Sequence, residues 1–230
     1  MVSFRTALLA TAASALSLAA TPAALANGLS FTNKTTANSG LGNNSVRGVY
    51  ASGSNIYAAT LGGGLSISTN GGSSFTNKTN ANGLGNNSVR GVYASGSNIY
   101  AATGGGLSIS TNGGSSFTNK TIANSGLGNN IVNGVYASGT SIYAATQGGL
   151  SISTNGGSSF TNYTTAQGLG NNNVFGVYAD GGNIYAATDG GLSISAVPSP
   201  LPLLGAASAF GFSRKLRRRL RAAATASPCC

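Results

Sequence analysis

One block of about 43 residues occurs four times along this chain with few changes. Its most constant part reads GLGNNSVRGVYASGSNIYAAT and is followed, after a glycine-rich turn, by GLSISTNGGSSFTNKT. The aromatic residues that mark equivalent places are Phe31, Phe75, Phe117 and Phe160. The successive periods are therefore 44, 42 and 43 residues. A period of about 40 to 50 residues is typical of propeller blades and stacked arrays, in which a single repeat cannot bury its own apolar face.

Each repeat contains four short patterns of β-strand type, separated by Gly or Asn-Gly turns. In the first complete repeat these are residues 46–51, 55–60, 65–68 and 75–79. Tight turns of this composition suit antiparallel hairpins, because their central positions accept positive φ without a steric penalty. Four antiparallel strands per period make one propeller blade. The sequence therefore predicts an all-β propeller of about four four-stranded blades, with a β-helix of two coils per repeat as the alternative.

The two ends of the repeats predict how such a ring closes. Residues 28–31 match an outer fourth strand, and residues 192–195 match a third strand. We expect the N-terminal strand to complete the last blade, because an open ring leaves strand edges exposed to aggregation. Since a ring of four blades is small, the alternative is that two chains combine into a homodimer of eight blades.

The first 26 residues have the arrangement of a secretory signal peptide. Arg5 precedes an apolar stretch, and the segment ends in ALA, which places small residues at the −3 and −1 positions. We predict an N-terminal signal helix over residues 1–26 that is cleaved before Asn27, so that the repeats, residues 27–196, are exported. Because the repeats contain no cysteine, their stability outside the cytoplasm has to come from blade packing alone.

Residues 197–221 differ in kind from the repeats, since they combine prolines, an apolar run over residues 201–212 and a basic cluster. The prolines are Pro198, Pro200 and Pro202, and the cluster contains Arg214, Lys215, Arg217, Arg218 and Arg219. The apolar run is short for a permanent bilayer span, which needs about 20 residues. The positive-inside rule keeps the basic cluster in the cytoplasm. We predict a short hydrophobic helix that anchors the chain transiently in the inner membrane, with a lipid-binding polybasic patch as the alternative.

This order of proline motif, apolar segment and arginine cluster resembles the PEP-CTERM sorting signal of exported proteins in Gram-negative bacteria and cyanobacteria. Pro198-Ser199-Pro200 stands where the signal usually reads Pro-Glu-Pro. The resemblance implies cleavage by an exosortase-type membrane protease and a final place at the cell surface or in the extracellular matrix. In the tail, residues 222–230, we interpret Cys229 and Cys230 as part of the segment removed with the signal; lipidation or redox activity is the alternative.

Two further resemblances concern the repeats. The stretch STNGGSSF resembles the Asp-box, with Asn in place of Asp, which implies a structural role in the hairpin between the third and fourth strands. The turn residues are Asn70, Gly71, Asn112, Gly113, Asn155 and Gly156. Residues 160–195 resemble two-component regulator propeller repeats, whose family implies an extracellular ligand-binding propeller.

Catalysis and metal binding need residue types that the repeats lack. Residues 27–196 contain no His, Cys or Glu, and their two carboxylates are Asp180 and Asp189. These lie at opposite ends of one predicted strand, roughly 20 Å apart at about 3.3 Å per residue. We therefore expect no enzyme, no metal and no cofactor. With five basic and two acidic residues, the repeats also lack the basic face of a nucleic-acid-binding protein.

Internal comparison shows near-identity except at three sets of positions. The first set is Arg47, Arg90, Asn133 and Phe175, the second is Lys34, Lys78, Lys120 and Tyr163, and the third is Leu61, Gly104, Gln147 and Asp189. The first set begins the innermost strand of each blade, so its side chains are candidates to surround the central opening and bind a ligand. Neutral drift within the repeat is the alternative. Paired tyrosines such as Tyr50 and Tyr57 are expected to pack between blades, with stacking on sugars as the alternative.

These observations predict an exported, non-enzymatic propeller that serves as a structural or binding protein of the cell surface or matrix. Its expected partners are the processing protease, envelope components such as extracellular polysaccharide, the membrane during sorting, and a second copy of the chain. The main alternative is a ligand-sensing propeller detached from a two-component sensor. An enzyme with a degenerate Asp-box site is the third hypothesis.

Overall fold

A computed structural model describes residues 30–196 and shows four consecutive antiparallel sheets. Blade 1 comprises β1 (Val46–Ser52), β2 (Asn55–Thr60), β3 (Gly64–Ser68) and β4 (Thr76–Lys78). Blade 2 comprises β5 (Val89–Ser95), β6 (Asn98–Thr103), β7 (Gly106–Ser110) and β8 (Thr118–Lys120). Blade 3 comprises β9 (Val132–Ser138), β10 (Ser141–Thr146), β11 (Gly149–Ser153) and β12 (Thr161–Tyr163). Blade 4 comprises β13 (Val174–Ala179), β14 (Asn183–Thr188) and β15 (Gly191–Ala196).

Within each blade the strands pair in sequence order, from an innermost to an outermost strand. The innermost strand carries an irregularity near its start, between Val46 and Gly48 in blade 1, where the register against β2 shifts. The predicted all-β propeller of four blades is confirmed. The alternative of two β-helix coils per repeat is wrong, because every strand pairs antiparallel with its neighbour in the chain.

The core lies between the blades, since both faces of each sheet are apolar. Leu65 and Ile67 on one face of blade 1 pack in one cluster with Val89 and Ile99 of blade 2. Equivalent clusters join blade 2 to blade 3 and blade 3 to blade 4. Side chains alternate between the two faces of a strand, so one strand supplies apolar groups to both neighbouring blades. This explains why a single repeat cannot bury its own apolar surface.

The innermost strands approach closely at one glycine per blade. A Cβ atom on Gly48, Gly91 or Gly134 would lie 3.0–3.2 Å from a backbone oxygen of the next blade's innermost strand. Beside them, the tyrosines of the innermost strands form a ladder, with ring centroids 4.9, 5.0 and 4.9 Å apart from blade to blade. The four tyrosines are Tyr50, Tyr93, Tyr136 and Tyr178. The predicted packing of tyrosines between blades is confirmed, and the tyrosine contacts at the three interfaces share one geometry.

The expected closure of the ring within the chain is wrong. Residues 30–35 form no strand, and the described part of blade 4 has three strands. Among the described residues β1 packs beside β5, β5 beside β9 and β9 beside β13, with no comparable packing of β13 on β1. Val49 at one end is 68% exposed and Leu192 at the other is 65% exposed. Three equal steps between blades do not bring blade 4 back to blade 1, so within residues 30–196 no blade covers either end face.

The links between blades contain short helical turns that the sequence analysis did not predict. They are α1 (Thr36–Ser39), α2 (Ile122–Ser125) and the 3₁₀ turns Asn80–Asn82 and Thr165–Gln167. Each follows a threonine; in α1 the Thr35 hydroxyl accepts a bond from the Asn38 amide at 3.3 Å, and the Asn38 side chain accepts one from the Thr35 amide at 2.8 Å. This reciprocal capping box starts the turn.

The chain divides into two compact units, with the boundary between Asn33 and Lys34. In the first unit the structure describes residues 30–33, which form no strand. The predicted signal helix and the predicted sorting segment, residues 197–221, lie outside the described residues, as does the tail. Over residues 30–196 no helix is both long and apolar enough to cross a bilayer.

Candidate functional site

Two of the three variable sets lie at the same end of the blades. The first set follows the start of each innermost strand, and the third set follows the end of each second strand. In blade 1 Val46 pairs with Thr60, so Arg47 and Leu61 lie at one end of the same hairpin. Three members of the second set lie on the outermost strands, where Lys78 pairs with Leu65 and Tyr163 pairs with Leu150, while Lys34 lies in no strand. The second set is therefore remote from the innermost strands.

At this end a cavity of about 270 Å³ opens among the innermost strands. It is lined by Arg47, Arg90, Asn133, Gln147 and Phe175. The structure thus brings together all four members of the first variable set, one from each blade. Gln147, from the third set, joins them because the turn between β10 and β11 lies beside the start of β9. Leu61, Gly104 and Asp189 do not line this cavity.

Hydrogen bonds hold the middle of this cavity in place. Arg90 Nη1 donates to Asn133 Oδ1 at 3.3 Å, and Asn133 Nδ2 donates to the Val174 carbonyl at 2.8 Å. A longer bond of 3.4 Å runs from Asn133 Nδ2 to Asn173 Oδ1, and Asn173 Nδ2 donates to Asp189 Oδ2 at 2.6 Å. Asn133 therefore orients Arg90 and ties blade 3 to blade 4. Asp189, although outside the lining, supports the cavity through Asn173.

The lining has the chemistry of an anion site with an aromatic wall. It offers two guanidinium groups, two side-chain amides and one phenylalanine, and among the described residues no carboxylate lines it. A guanidinium presents a planar fork of N–H donors that matches a carboxylate or phosphate. Phe175 is 51% exposed, so its ring is available for contact with a ligand. The cavity is open and small, which suits one charged group and the ring that carries it.

The two aspartates do not form a catalytic pair. Asp180 precedes β14 and Asp189 follows it, so they lie at opposite ends of one strand. Asp180 Oδ1 accepts bonds from the amides of Gly182 at 2.9 Å and Asn183 at 2.7 Å, and these bonds lower the pKa of Asp180. The bond from the Tyr185 hydroxyl to Asp180 Oδ2, 3.1 Å, raises the pKa of Tyr185. Within residues 30–196 no group of three His, Cys, Asp or Glu side chains is placed to hold a metal ion.

The Asp-box-like turn differs from the prediction in which of its residues have a positive φ. We expected positive φ at both Asn112 and Gly113, but no described residue other than glycine has a positive φ. Positive φ occurs at Gly113 (68°) and Gly114 (84°). Asn112 acts through its side chain: Oδ1 accepts from the Ser110 hydroxyl at 2.8 Å, and Nδ2 donates to the Ser116 hydroxyl at 2.9 Å. The side-chain amide of Asn112 therefore shapes the hairpin, and it does not line the cavity among the innermost strands.

Burial affects the tyrosine ladder. The pKa of Tyr93 is raised, first by burial and then by the neighbouring tyrosines Tyr50 and Tyr136. The pKa of Tyr136 is also raised, first by burial and then by the neighbouring Tyr178 and Tyr143. Tyr93 and Tyr136 are therefore neutral packing elements at physiological pH.

No protein-family model matches the sequence, and no curated protein matches it. Among solved structures, the extracellular domain of the hybrid two-component system BT3049 from B. thetaiotaomicron is similar, with a TM-score of 0.61 and 22% identity. The match covers 71% of this chain and 23% of that chain, so this chain spans under a quarter of that domain. The computationally designed Ika4 protein has a TM-score of 0.51 at 7% identity, over 66% of this chain and 91% of that chain. YCF48 bound to D1 peptide has a TM-score of 0.51 at 15% identity, and the match covers 67% of this chain and 52% of that chain. At these identities the likeness shows the propeller fold alone.

Proposed function

We propose that this protein is an exported, non-enzymatic binding module of the cell surface or extracellular matrix. Its central cavity takes an anionic group of an envelope component, with an acidic polysaccharide as the best-fitting class. The observation that carries the proposal is that one variable repeat position, occupied by Arg47, Arg90, Asn133 and Phe175 in the four blades, lines one cavity. Most other repeat positions are nearly identical, so this cavity is one of the places where the blades differ in chemistry.

Several properties of the cavity support an acidic saccharide. Arg47 and Arg90 supply two permanent positive charges, and Asn133 and Gln147 supply amide donors and acceptors suited to hydroxyl groups. Phe175 supplies an apolar face for a sugar ring. Hydrogen bonds to charged groups contribute about 1.5 to 3 kcal/mol each, so the arginines are expected to dominate the affinity.

Isothermal titration with oligogalacturonate, and with neutral dextran of similar length, tests this proposal. We expect the oligogalacturonate to bind and the dextran not to bind. Replacing both arginines (Arg47→Ala and Arg90→Ala) is expected to weaken binding at least about tenfold, which corresponds to about 1.4 kcal/mol. The matched control replaces Lys78 and Lys120 by Ala, which removes the same charge from the outermost strands. Equal losses in both double variants would show that only net charge matters and would refute the site.

We further propose that the chain reaches the surface through its PEP-CTERM-like segment and an exosortase-type protease. The support is the order of prolines, apolar run and basic cluster in the sequence. The intact mass of the surface protein is expected to correspond to a chain that begins at Asn27 and lacks residues 214–230. Changing Arg217, Arg218 and Arg219 to Ser is expected to leave the C-terminus uncut. Surface protein that still ends in Cys230 would overturn this route.

The alternative function is ligand sensing by a module that works with a separate kinase. It would use the same cavity but for a small molecule. Titration with galacturonic acid monosaccharide separates the two hypotheses. A sensor is expected to bind the monosaccharide as tightly as the oligomer, whereas a matrix-binding protein gains affinity from contacts beyond one sugar ring.

A further inference from the structure

An apolar cavity lies at the interface between blades 3 and 4. Its volume is about 450 Å³, and its apolar wall includes Leu150, Ile152, Leu169 and Ile184. Three of these, Ile152, Leu169 and Ile184, are only partly buried. Space therefore remains beside apolar side chains whose counterparts in the other two interfaces, such as Leu84 and Leu127 for Leu169, are buried.

The equivalent places in the other interfaces are filled by phenylalanine. Phe117 is 7% exposed and packs with the cluster between blades 1 and 2, and Phe160 is 8% exposed and packs with the cluster between blades 2 and 3. Each phenylalanine immediately precedes the outermost strand of its blade. Within residues 30–196 blade 4 has no outermost strand, and its cluster contains no phenylalanine. The cavity is thus the space of a missing phenylalanine and its strand.

The chain carries a copy of the missing strand at its other end. Residues 30–35 read SFTNKT, which is identical to residues 74–79 and 116–121 around β4 and β8. Residues 30–35 form no strand, and Phe31 is 95% exposed. Residues 30–35 therefore offer a strand sequence with an exposed aromatic ring. Blade 4 offers an edge without a fourth strand, beside an apolar cavity that can take such a ring.

The length of the links decides which blade this segment completes. Ten or eleven residues separate the last residue of each outermost strand from the next innermost strand, and eleven separate Lys34 from Val46. Residues 30–35 therefore belong at the outer edge of whichever blade precedes blade 1. In the part of the chain that the structure describes, blade 4 is the blade with that position vacant, and its face does not pack on blade 1.

The end faces point to the same arrangement. Leu192 and Ile194 of blade 4 are 65% and 61% exposed, while their equivalents in blade 2, Leu107 and Ile109, are 0% and 8% exposed beneath the next blade. A Cβ atom on Gly176 would meet nothing within 4 Å, unlike the equivalent glycines of blades 1 to 3. The surface that covers this face elsewhere is a blade of nearly the same sequence, and blade 1 presents that surface uncovered.

We propose that two copies of this chain join head to tail into one eight-bladed ring, in which residues 30–35 of each copy form the outermost strand of the other copy's blade 4. Phe31 then fills the cavity of about 450 Å³ in the partner. The amides of Phe75, Phe117 and Phe160 each donate at 2.8 Å to a link carbonyl of their own blade. The equivalent acceptor for Phe31 is the carbonyl of Gln167, a residue that lines the cavity.

A ring of two copies agrees better with the number of blades in propellers than an assembly of three or more copies. A head-to-tail interface closes into a ring or continues as a filament, depending on the rotation at each step. Propellers typically contain about four to eight blades, and two copies supply eight. A ring of two also leaves no blade face and no strand edge uncovered, which removes the aggregation hazard of the open form.

Light scattering on the protein as the cell exports it tests the ring. We expect twice the mass of the exported chain for the parent, and the single-chain mass for Phe31→Ser and for Gly176→Leu. Because Phe31 is exposed and Gly176 has open space, both variants are expected to keep the circular dichroism spectrum of the parent. Ile122→Ser, which removes an apolar side chain that is 52% exposed in the link between blades 2 and 3, is the matched control and is expected to stay dimeric. A monomeric parent, a filament, or dimeric forms of both Phe31→Ser and Gly176→Leu would overturn the proposal.

A photo-crosslink identifies the occupant of the cavity. With benzoylphenylalanine at position 31, we expect irradiation to double the mass and to link position 31 to peptides that contain Ile152, Leu169 or Ile184. The experiment uses the exported protein at micromolar concentration. A crosslink to the same peptides without any change of mass would show closure of each chain on itself and would overturn the exchange of strands between copies.

Discussion

Blades 3 and 4 carry the same pentapeptide, GLSIS, in their third strands, yet the two segments have opposite environments. Leu150 in β11 is 4% exposed, whereas Leu192 in β15 is 65% exposed. The strand, its register and the side of the sheet that each leucine occupies are the same. The two segments differ because blade 4 covers Leu150, whereas no described blade covers Leu192. Local sequence thus determines the strand and its faces, while burial depends on a neighbour that the repeat itself does not contain.

This comparison has an energetic consequence. Burial of a leucine or isoleucine side chain stabilises a protein by about 1.5 to 3 kcal/mol, so each interface between blades contributes several such increments. Three interfaces within the chain provide this stabilisation, and the open faces of blades 1 and 4 do not. The four blades should therefore respond very differently to the same substitution.

The largest expected contrast is between Leu107 and Leu192. Leu107→Ala empties a fully buried position and is expected to lower the free energy of unfolding by about 2 to 5 kcal/mol at every protein concentration. Leu192→Ala is expected to cost less than about 0.5 kcal/mol in dilute solution, because its side chain is exposed in the single chain. At high concentration its cost should grow, since association links stability to concentration. Urea unfolding at two protein concentrations checks this. Equal, concentration-independent losses would mean that blade 4 is covered within its own chain.

A smaller contrast is expected at the glycines of the innermost strands. A Cβ atom at position 134 would lie 3.0 Å from the Phe175 carbonyl oxygen and 3.4 Å from Gly176 Cα. Gly134→Val is therefore expected to cost about 1 to 3 kcal/mol through overpacking. Gly176→Val, in open space, is expected to leave the dilute chain unchanged or slightly stabilised, because β-branched residues favour strands. Thermal unfolding followed by circular dichroism measures both. A comparable loss in the two variants would contradict the open end.

Most of the blade was predictable because its signals are local. The alternation of apolar residues and the Gly turns predicted residues 46–51 and 55–60 as strands, and the structure has Val46–Ser52 and Asn55–Thr60. Three of the helical turns in the links were missed because their capping residue is Asn38, Asn82 or Asn124, and not the Glu or Gln of the usual capping-box pattern. The turn Thr165–Gln167 does have the usual Gln, so its signal was available in the sequence. The closure of the ring within one chain was predicted wrongly. Closure depends on the angle between successive blades, and the spacing of residues along the sequence does not specify that angle.

The candidate site was predictable in part for a similar reason. Arg47, Arg90, Asn133 and Phe175 occupy one repeated position, so any propeller brings them to one opening. Gln147 was not assigned to the site because it follows Asn133 by 14 residues. The available signal was the hairpin register, which places the turn after a second strand beside the start of the first.

The turn between the third and fourth strands distinguishes the complete blades from blade 4, which lacks it among the described residues. Asn112→Ala removes the acceptor for the Ser110 hydroxyl and for the Ser116 amide, which is 3.1 Å away. We expect a loss of about 1 kcal/mol in the free energy of unfolding. Asn112→Asp keeps the acceptors and is the matched control, with an expected loss of less than half of that. Chemical denaturation of both variants measures the effect. If Ala and Asp are equally destabilising, the side-chain bonds do not hold the turn.

Blade 4 also differs at its first hairpin, where Asp180-Gly181-Gly182 replaces the Ser-Gly-Ser or Ser-Gly-Thr of the other blades. Bonds from the amides of Gly182 and Asn183 lower the pKa of Asp180 below its ordinary value of 3.8. The ionised carboxylate therefore stabilises the folded chain above that value, and the stabilisation is lost as the pH falls through the lowered pKa.

The smallest expected effect is the pH dependence of this hairpin. Asp180→Asn is expected to be less stable than the parent at pH 6, and the difference is expected to narrow at pH 3, where the parent begins to lose its charge. Asp180 is exposed, so the difference at pH 6 should be smaller than that of Asn112→Ala. Ser95→Asn in the equivalent turn of blade 2 is the control and should show the same difference at both pH values. A difference for Asp180→Asn that stays constant with pH would mean that the side-chain geometry, and not the charge, holds the turn of blade 4.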